Sequence, residues 1–201
     1  MRRSVLVVTL LTGLVGLNSG IGWAQASAPE IEIHSGLTKL WGRTNGYKFD
    51  DGGGEVSVTG YFNRSVGLEG EFAEFSYSPP NAPAYGSHFS LLFGPHFAYH
   101  GNRWVNPYAH VLLGFTRGDA NDLSPLIESG VIDRSAFTIG IGGGVDVKIW
   151  RILWLRPIQA DYLRESFPGD PYGLPPFSRA LENNRRLSAG FVLRVESRRS
   201  H

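Results

Sequence analysis

The sequence predicts an all-β protein: an eight-stranded antiparallel up-and-down transmembrane β-barrel. Three observations carry that expectation. Eight segments alternate with a period of two, the period at which successive side chains of a strand face opposite sides. The links between them alternate strictly between short and long. After the N-terminal segment no run of 18 apolar residues occurs, so a helical membrane protein is excluded, while 26 glycines and 12% aromatic residues favour all-β structure.

The chain starts with an export pattern. Arg2 and Arg3 form a positive n-region, Val5 to Gly22 carries no charge, and Ala24-Gln25-Ala26 is a small-x-small cleavage site. Asn18, Ser19 and four glycines make that run a poor spanning helix. Residues 1–26 are therefore expected to be a signal peptide, 27–196 an outer-membrane barrel domain, and 197–201 a polar C-terminal tail. With Arg2 and Arg3 removed, 17 basic residues face 18 acidic ones. No basic run is longer than a pair such as Arg198-Arg199 in the tail, so nucleic acid is not an expected partner. The chain has no cysteine, which removes disulfides and thiol chemistry.

The strands follow in order. The first, Ile31 to Trp41, alternates clearly only in its first half. In the second, Val56 to Phe62, Val56, Val58, Gly60 and Phe62 oppose Ser57, Thr59 and Tyr61. In the third, Ser65 to Tyr77, Val66, Leu68, Gly70 and Phe72 oppose Gly67, Glu69, Glu71 and Ala73. The fourth is the clearest, with Phe89, Leu91, Phe93, Pro95, Phe97 and Tyr99 against His88, Ser90, Gly94, His96 and Ala98, and Leu92 as an apolar exception. The fifth, Pro107 to Arg117, sets Ala109, Val111, Leu113 and Phe115 against Tyr108, His110, Gly114 and Thr116. The sixth, Ser135 to Ile149, sets a row of Phe137, Ile139, Ile141, Val145, Val147 and Ile149 against Thr138, three glycines, Asp146 and Lys148. The seventh, Leu153 to Arg164, is read with Gln159 and Asp161 inward and Arg156 outward, and Pro157 is a candidate bulge that resets the register. In the eighth, Arg185 to Val195, Leu187, Ala189, Phe191, Leu193 and Val195 oppose Arg186, Ser188, Gly190 and Arg194.

Segments of about 7 to 15 residues suit strands that cross a membrane, which need about 9–11 when tilted, better than soluble strands of about 5–6. The long links are Gly42 to Glu55, Ser78 to Ser87, Gly118 to Arg134 and Glu165 to Asn184. Short turns belong to the periplasm, and an even strand number puts both termini there. Trp41, Tyr99, Trp104, Tyr108, Trp150, Trp154 and Phe167 lie near strand ends, as an interfacial girdle requires.

Lipid offers no hydrogen-bond partners, so the apolar face must be outside and the sheet closed. The inward face then collects Glu69, Glu71, His96, His110, Asp146, Lys148, Asp161, Arg186 and Arg194, expected to pair as a structural or gating network. Gly140, Gly142 and Gly144 leave room for Tyr108, His110, Arg186 or Arg194 opposite. No catalytic residues are expected. Ser90 and His96 share a face but stand about 20 Å apart along the strand, and no nucleophile motif accompanies His88 and Ser90. His96, His110 and Glu71 lack any ligand spacing such as H-E-x-x-H, so the histidines are read as isolated and no metal or cofactor is expected.

Several stretches together match a known pattern: Val58 to Arg64, Leu92 to His96, Pro107 to Gly114, Ile141 to Val147, Ile158 to Tyr162 and Asn184 to Gly190. By these the chain resembles the outer-membrane β-barrel domain family, the OmpA-like transmembrane domain type. The resemblance implies an outer-membrane location, a structural or narrow-pore role, and no catalytic residues. Strand 8 departs from it, ending at Val195 instead of an aromatic residue, and no peptidoglycan-binding domain follows in this sequence. The expected function is thus a non-enzymatic, monomeric envelope barrel whose partners are outer-membrane lipid and, during insertion, the barrel-assembly machinery. The alternatives are a lipid-modifying barrel enzyme and a soluble lipocalin-like binding barrel.

Overall fold

In a computed structural model the chain forms a closed antiparallel barrel of eight strands in sequential order. The structure describes residues 31–44, 47–77, 85–100, 102–121, 131–166 and 181–195. The expected signal peptide, Phe167 and the polar tail lie outside them. The strands are β1 (Ile31–Thr44), β2 (Tyr47–Tyr61), β3 (Val66–Tyr77), β4 (Tyr85–Ala98), β5 (Val105–Asn121), β6 (Val131–Lys148), β7 (Leu153–Ser166) and β8 (Leu181–Val195). Closure comes from β1 against β8, with Ile31 opposite Val195 and Trp41 opposite Arg185. Such a sheet leaves no open edge.

The first hairpin corrects the loop pattern. Gly42 to Glu55 is not a long link: β1 runs on to Thr44 and β2 starts at Tyr47, with Thr38 opposite Gly53 and Gly36 opposite Glu55. Asp50-Asp51-Gly52-Gly53-Gly54 has turn composition, but ladder bonds use the backbone and pair these residues anyway. The same extension shortens the other long links to 78–84, 122–130 and 167–180. The second half of β1 also alternates fully, with Thr38 and Leu40 buried and Leu37 and Lys39 exposed.

The two faces have opposite chemistry to a soluble barrel. Phe93, Phe97, Leu113, Phe137, Ile139, Ile141, Leu187, Phe191 and Leu193 are all exposed on the outer wall, whereas Glu32, Glu69, Glu71, Asp146, Arg156, Asp161 and Arg186 are buried inside. A lipocalin-like soluble barrel would reverse this, because apolar surface left in water is unfavourable by about 25 cal/mol per Å². The apolar band has edges. On β8 it runs outward from Val195 to Leu187 and ends at the exposed Arg185; on β5 it runs from Pro107 to Phe115 and ends at the exposed Arg117. Eight residues at about 3.3 Å each, tilted by about 40°, give a band about 20 Å tall, near the roughly 25 Å of outer-membrane barrels.

The girdle is partly as expected. Tyr99, Trp104 and Trp150 project outward beside the short turns. Tyr108 and Trp154 do not: both are buried in the lumen, because their positions are in phase with His110 and Arg156.

β7 carries the main register correction. Pro157 and Ile158 are both exposed, and pairing shifts between Arg156 and Gln159 on the β8 side and between Val145 and Val147 on the β6 side. Proline has no N–H to give a ladder, so a bulge is where it fits. Its effect is to turn Arg156 inward, to 2% exposure, instead of outward.

Candidate functional site

The lumen is filled in layers. Nearest the short turns, Tyr61 donates to Glu32 Oε2 (3.0 Å), Arg194 pairs with Glu32 and lies 4.3 Å over the Trp154 ring, and Lys148 sits 5.6 Å from the same ring. Above them Arg156 grips Asp146 through Nε (2.8 Å) and Nη2 (3.2 Å), covers the Tyr108 ring at 4.1 Å and donates to Gln159. Tyr108 donates to the same Gln159 oxygen at 2.6 Å.

The central layer joins seven strands, all but β6. His96 Nδ1 and His110 Nδ1 meet one oxygen of Glu69 at 2.7 and 2.8 Å, and His110 Nε2 meets Asp161 Oδ1 at 2.8 Å. Asp161 accepts from Gln159 and from Arg186 Nε (2.8 Å). Arg186 then forks onto Glu71, Nη1 to Oε1 at 2.5 Å and Nη2 to Oε2 at 2.7 Å, with Glu55 3.6 Å from Nη1. Glu55 also accepts from Ser188 (2.9 Å) and lies 3.6 Å from His34. A planar guanidinium suits this role because its fork matches a carboxylate and its remaining donors reach a second one.

Glycine makes the layer possible at Gly142. A Cβ there would collide with the Asp161 carboxylate and with the Ala160 carbonyl. Among the expected partners for the β6 glycines, Tyr108 does lie over Gly144, while Asp161 and Leu163 occupy the space over Gly142 and Gly140.

Above the charges the lumen turns apolar. Leu40, Ala73, Phe75, Leu92, Leu112 and Leu163 form one buried cluster, so Leu92 is part of a layer and not an isolated exception. Beyond it Thr116 and Thr138 share a hydrogen bond of 2.8 Å, and His88 stacks on Phe75 with Asp51 3.7 Å away. A pocket of about 610 Å³ lies against the outer wall, lined among others by Trp41, Ile141, Ala160 and Tyr162.

All nine sequence-selected residues thus face the lumen, and most join one network. Lys148 is the least buried, and Asp146 pairs with Arg156, which the outward reading of β7 had left out. Glu32, His34 and Glu55 were also missed. Glu32 and His34 stand in plain alternation with Ile31 and Ile33, and Glu55 is in phase with Ser57, Thr59 and Tyr61, so carrying the period two residues further finds it. The histidines are not isolated: Glu69, His96 and His110 bring ligand-type atoms within 4.8 Å of one another, while Glu71 belongs to Arg186.

The enzyme alternative gains a pair but no mechanism. His88 and Asp51 meet near the long-link end, yet Ser90 Oγ has no hydrogen-bond partner among the described residues, and His96 is held by Glu69. A nucleophile needs its base within about 3 Å.

His100, in the turn after β4, supplies a pH-dependent contact. The Glu32 carboxylate, 3.6 Å from its Nε2, raises its pKa above the usual 6.5, and Nδ1 also meets the Arg64 carbonyl at 2.5 Å. A raised folded-state pKa means the stabilisation is fully present below pH 6.5 and is lost as pH rises through the folded value. The destabilisation caused by His100→Gln is therefore expected to be largest near pH 6 and to shrink on going to about pH 9. A gap between urea midpoints that is constant over that range would refute it.

By sequence the chain matches no family model and no curated protein. By structure it is similar to Ail, the attachment invasion locus protein of Yersinia pestis, with TM-score 0.54, 17% identity, and coverage of 83% of this chain and 99% of that one. Neisserial surface protein A aligns at TM-score 0.58 and 11% identity, covering 83% and 97%. The fold is that of the small outer-membrane barrels. A major outer membrane protein from Thermus thermophilus shares it at TM-score 0.51 and 14% identity, over 84% and 100%.

Proposed function

We propose that this protein is a non-enzymatic barrel of the bacterial outer membrane with a structural, envelope-stabilising role, its lumen closed to solute flow. The observation that carries the reading is the stack of filled layers: Arg156, Arg186, Glu69, Glu71, His96 and His110, and the leucine–phenylalanine layer above them, are each at most 2% exposed. Eight-stranded barrels have an interior just wide enough for side chains to fill. The wall face, apolar outside and charged inside, supports the membrane location. The four-residue and six-residue turns 62–65, 99–104 and 149–152, flanked by Tyr99, Trp104 and Trp150, support placing them with both termini in the periplasm.

Protein refolded into planar bilayers is expected to give no discrete conductance steps, although it migrates in gels as a heat-modifiable folded species. Reproducible steps from that folded species would overturn the closed lumen and favour the narrow-pore reading. Extraction from cells by salt alone, without detergent, would overturn the membrane location.

A further inference from the structure

We propose that Glu69, His96 and His110 form a binding site for a divalent first-row transition ion of the Zn2+ type inside the barrel wall. The three come from adjacent strands β3, β4 and β5, and His96 and His110 are direct register partners, so the sheet itself fixes their spacing. All three side chains are 1% exposed.

Four features point to an ion and not to packing alone. Both Nδ1 atoms converge on one oxygen, Glu69 Oε2, at 2.7 and 2.8 Å. The other carboxylate oxygen, Glu69 Oε1, is buried without a hydrogen-bond partner among the described residues and can complete a coordination set. His110 has a carboxylate oxygen at each ring nitrogen, Glu69 at Nδ1 and Asp161 at Nε2. Such an imidazole must carry either a proton on both nitrogens or a cation in place of one of those protons, and the same two oxygens serve either. With the ion at Nδ1, Nε2–H donates to Asp161, which is the carboxylate–histidine–metal arrangement that fixes ring orientation in metal sites. Asp161 is itself held by Gln159 and Arg186, so this support is rigid.

The fourth feature is charge. Arg194 answers Glu32 and Arg156 answers Asp146, but Glu71, Asp161, Glu55 and Glu69 share one arginine, Arg186, and the only other basic groups they meet among the described residues are the imidazoles of His34, His96 and His110. Buried carboxylates without counter-charge are costly, and a divalent ion would supply most of what this layer lacks. Zn–N and Zn–O bonds of about 2.0–2.1 Å set tetrahedral ligand atoms roughly 3.3 Å apart, so the two contacts to Glu69 Oε2 must open by about half an ångström while the wider separation in the cluster, within 4.8 Å, closes. An imidazole-and-carboxylate set selects Zn2+ and its neighbours over Mg2+ and Ca2+, which prefer all-oxygen sites.

The test uses untagged full-length mature chain refolded into detergent micelles, with Zn2+ added either during or after refolding and loose metal then removed by desalting. About one Zn2+ per chain is expected to remain, unaffected by a hundredfold excess of Mg2+ or Ca2+. Retention should fall at least tenfold in His96→Gln and in His110→Gln, while His88→Gln keeps it. If neither order of addition leaves metal on wild-type protein that migrates as folded, the site does not exist. Equal retention by the two variants overturns it as well. Should the variants fail to fold, X-ray absorption of the Zn2+-loaded wild type decides: two imidazoles with carboxylate oxygen support the site, and an all-oxygen shell sinks it.

Discussion

Replacing Arg186 by methionine is expected to destabilise the folded barrel by about 3–5 kcal/mol, the cost of leaving a buried ion network with its cation removed. Arg186 is the centre of the polar layer, bonded to Glu71 through two nitrogens and to Asp161 through a third, with Glu55 nearby. Methionine fills much of the volume but leaves these carboxylates facing one another in a site closed to water. Arg186→Lys keeps the charge and loses the fork, so it should recover only part of the stability. Arg185→Met, one residue away but on the outer wall, should change stability by at most about 0.5 kcal/mol, the usual range for surface substitutions. Reversible urea unfolding in micelles, followed by tryptophan fluorescence, measures all three. A loss under about 1 kcal/mol for Arg186→Met would show that the layer is held by packing and that its ion pairs are incidental.

What the sequence made legible was the phase of each strand, and phase is enough to choose the lumen residues wherever alternation is unbroken. β4 and β6 illustrate this, since every residue assigned to a face there is on that face. Two kinds of information were not local. One is how far a strand continues past its apolar part: Asp51 to Glu55 look like a turn, and only pairing with Gly36 to Leu40 and the need to close the barrel make them strand. The other is the bulge at Pro157. A bulge inverts the phase of everything on one side of it, so Gln159 and Asp161 could be placed correctly while Arg156 could not. Partner choice was the least legible. Glu69 and Glu71 are equivalent by pattern, but one meets two histidines and the other an arginine, because their cross-barrel neighbours differ. Those neighbours come from strands up to 115 residues away in sequence.

Ile141→Arg is expected to cost about 2–4 kcal/mol in phospholipid vesicles, whereas Ile149→Arg is expected to cost about 0–1 kcal/mol. The two isoleucines are similarly exposed, 57% and 50%, so surface area alone does not separate them. Depth does. Ile141 lies opposite Val111 in the middle of the apolar band, between Pro107 and Arg117 on the neighbouring strand, while Ile149 is in the turn after β6 beside Trp150 and Arg151. Neither change touches the lumen network, because both side chains point away from it. At the midplane an arginine must draw its guanidinium toward the interface or pull water in, and both cost free energy; at the turn it is already at the headgroups. On a water-facing wall the same substitutions would each fall within about 0.5 kcal/mol of neutral. The difference between the two variants therefore measures the solvent around the barrel, and a difference below about 1 kcal/mol would refute the membrane reading whatever the lumen contains.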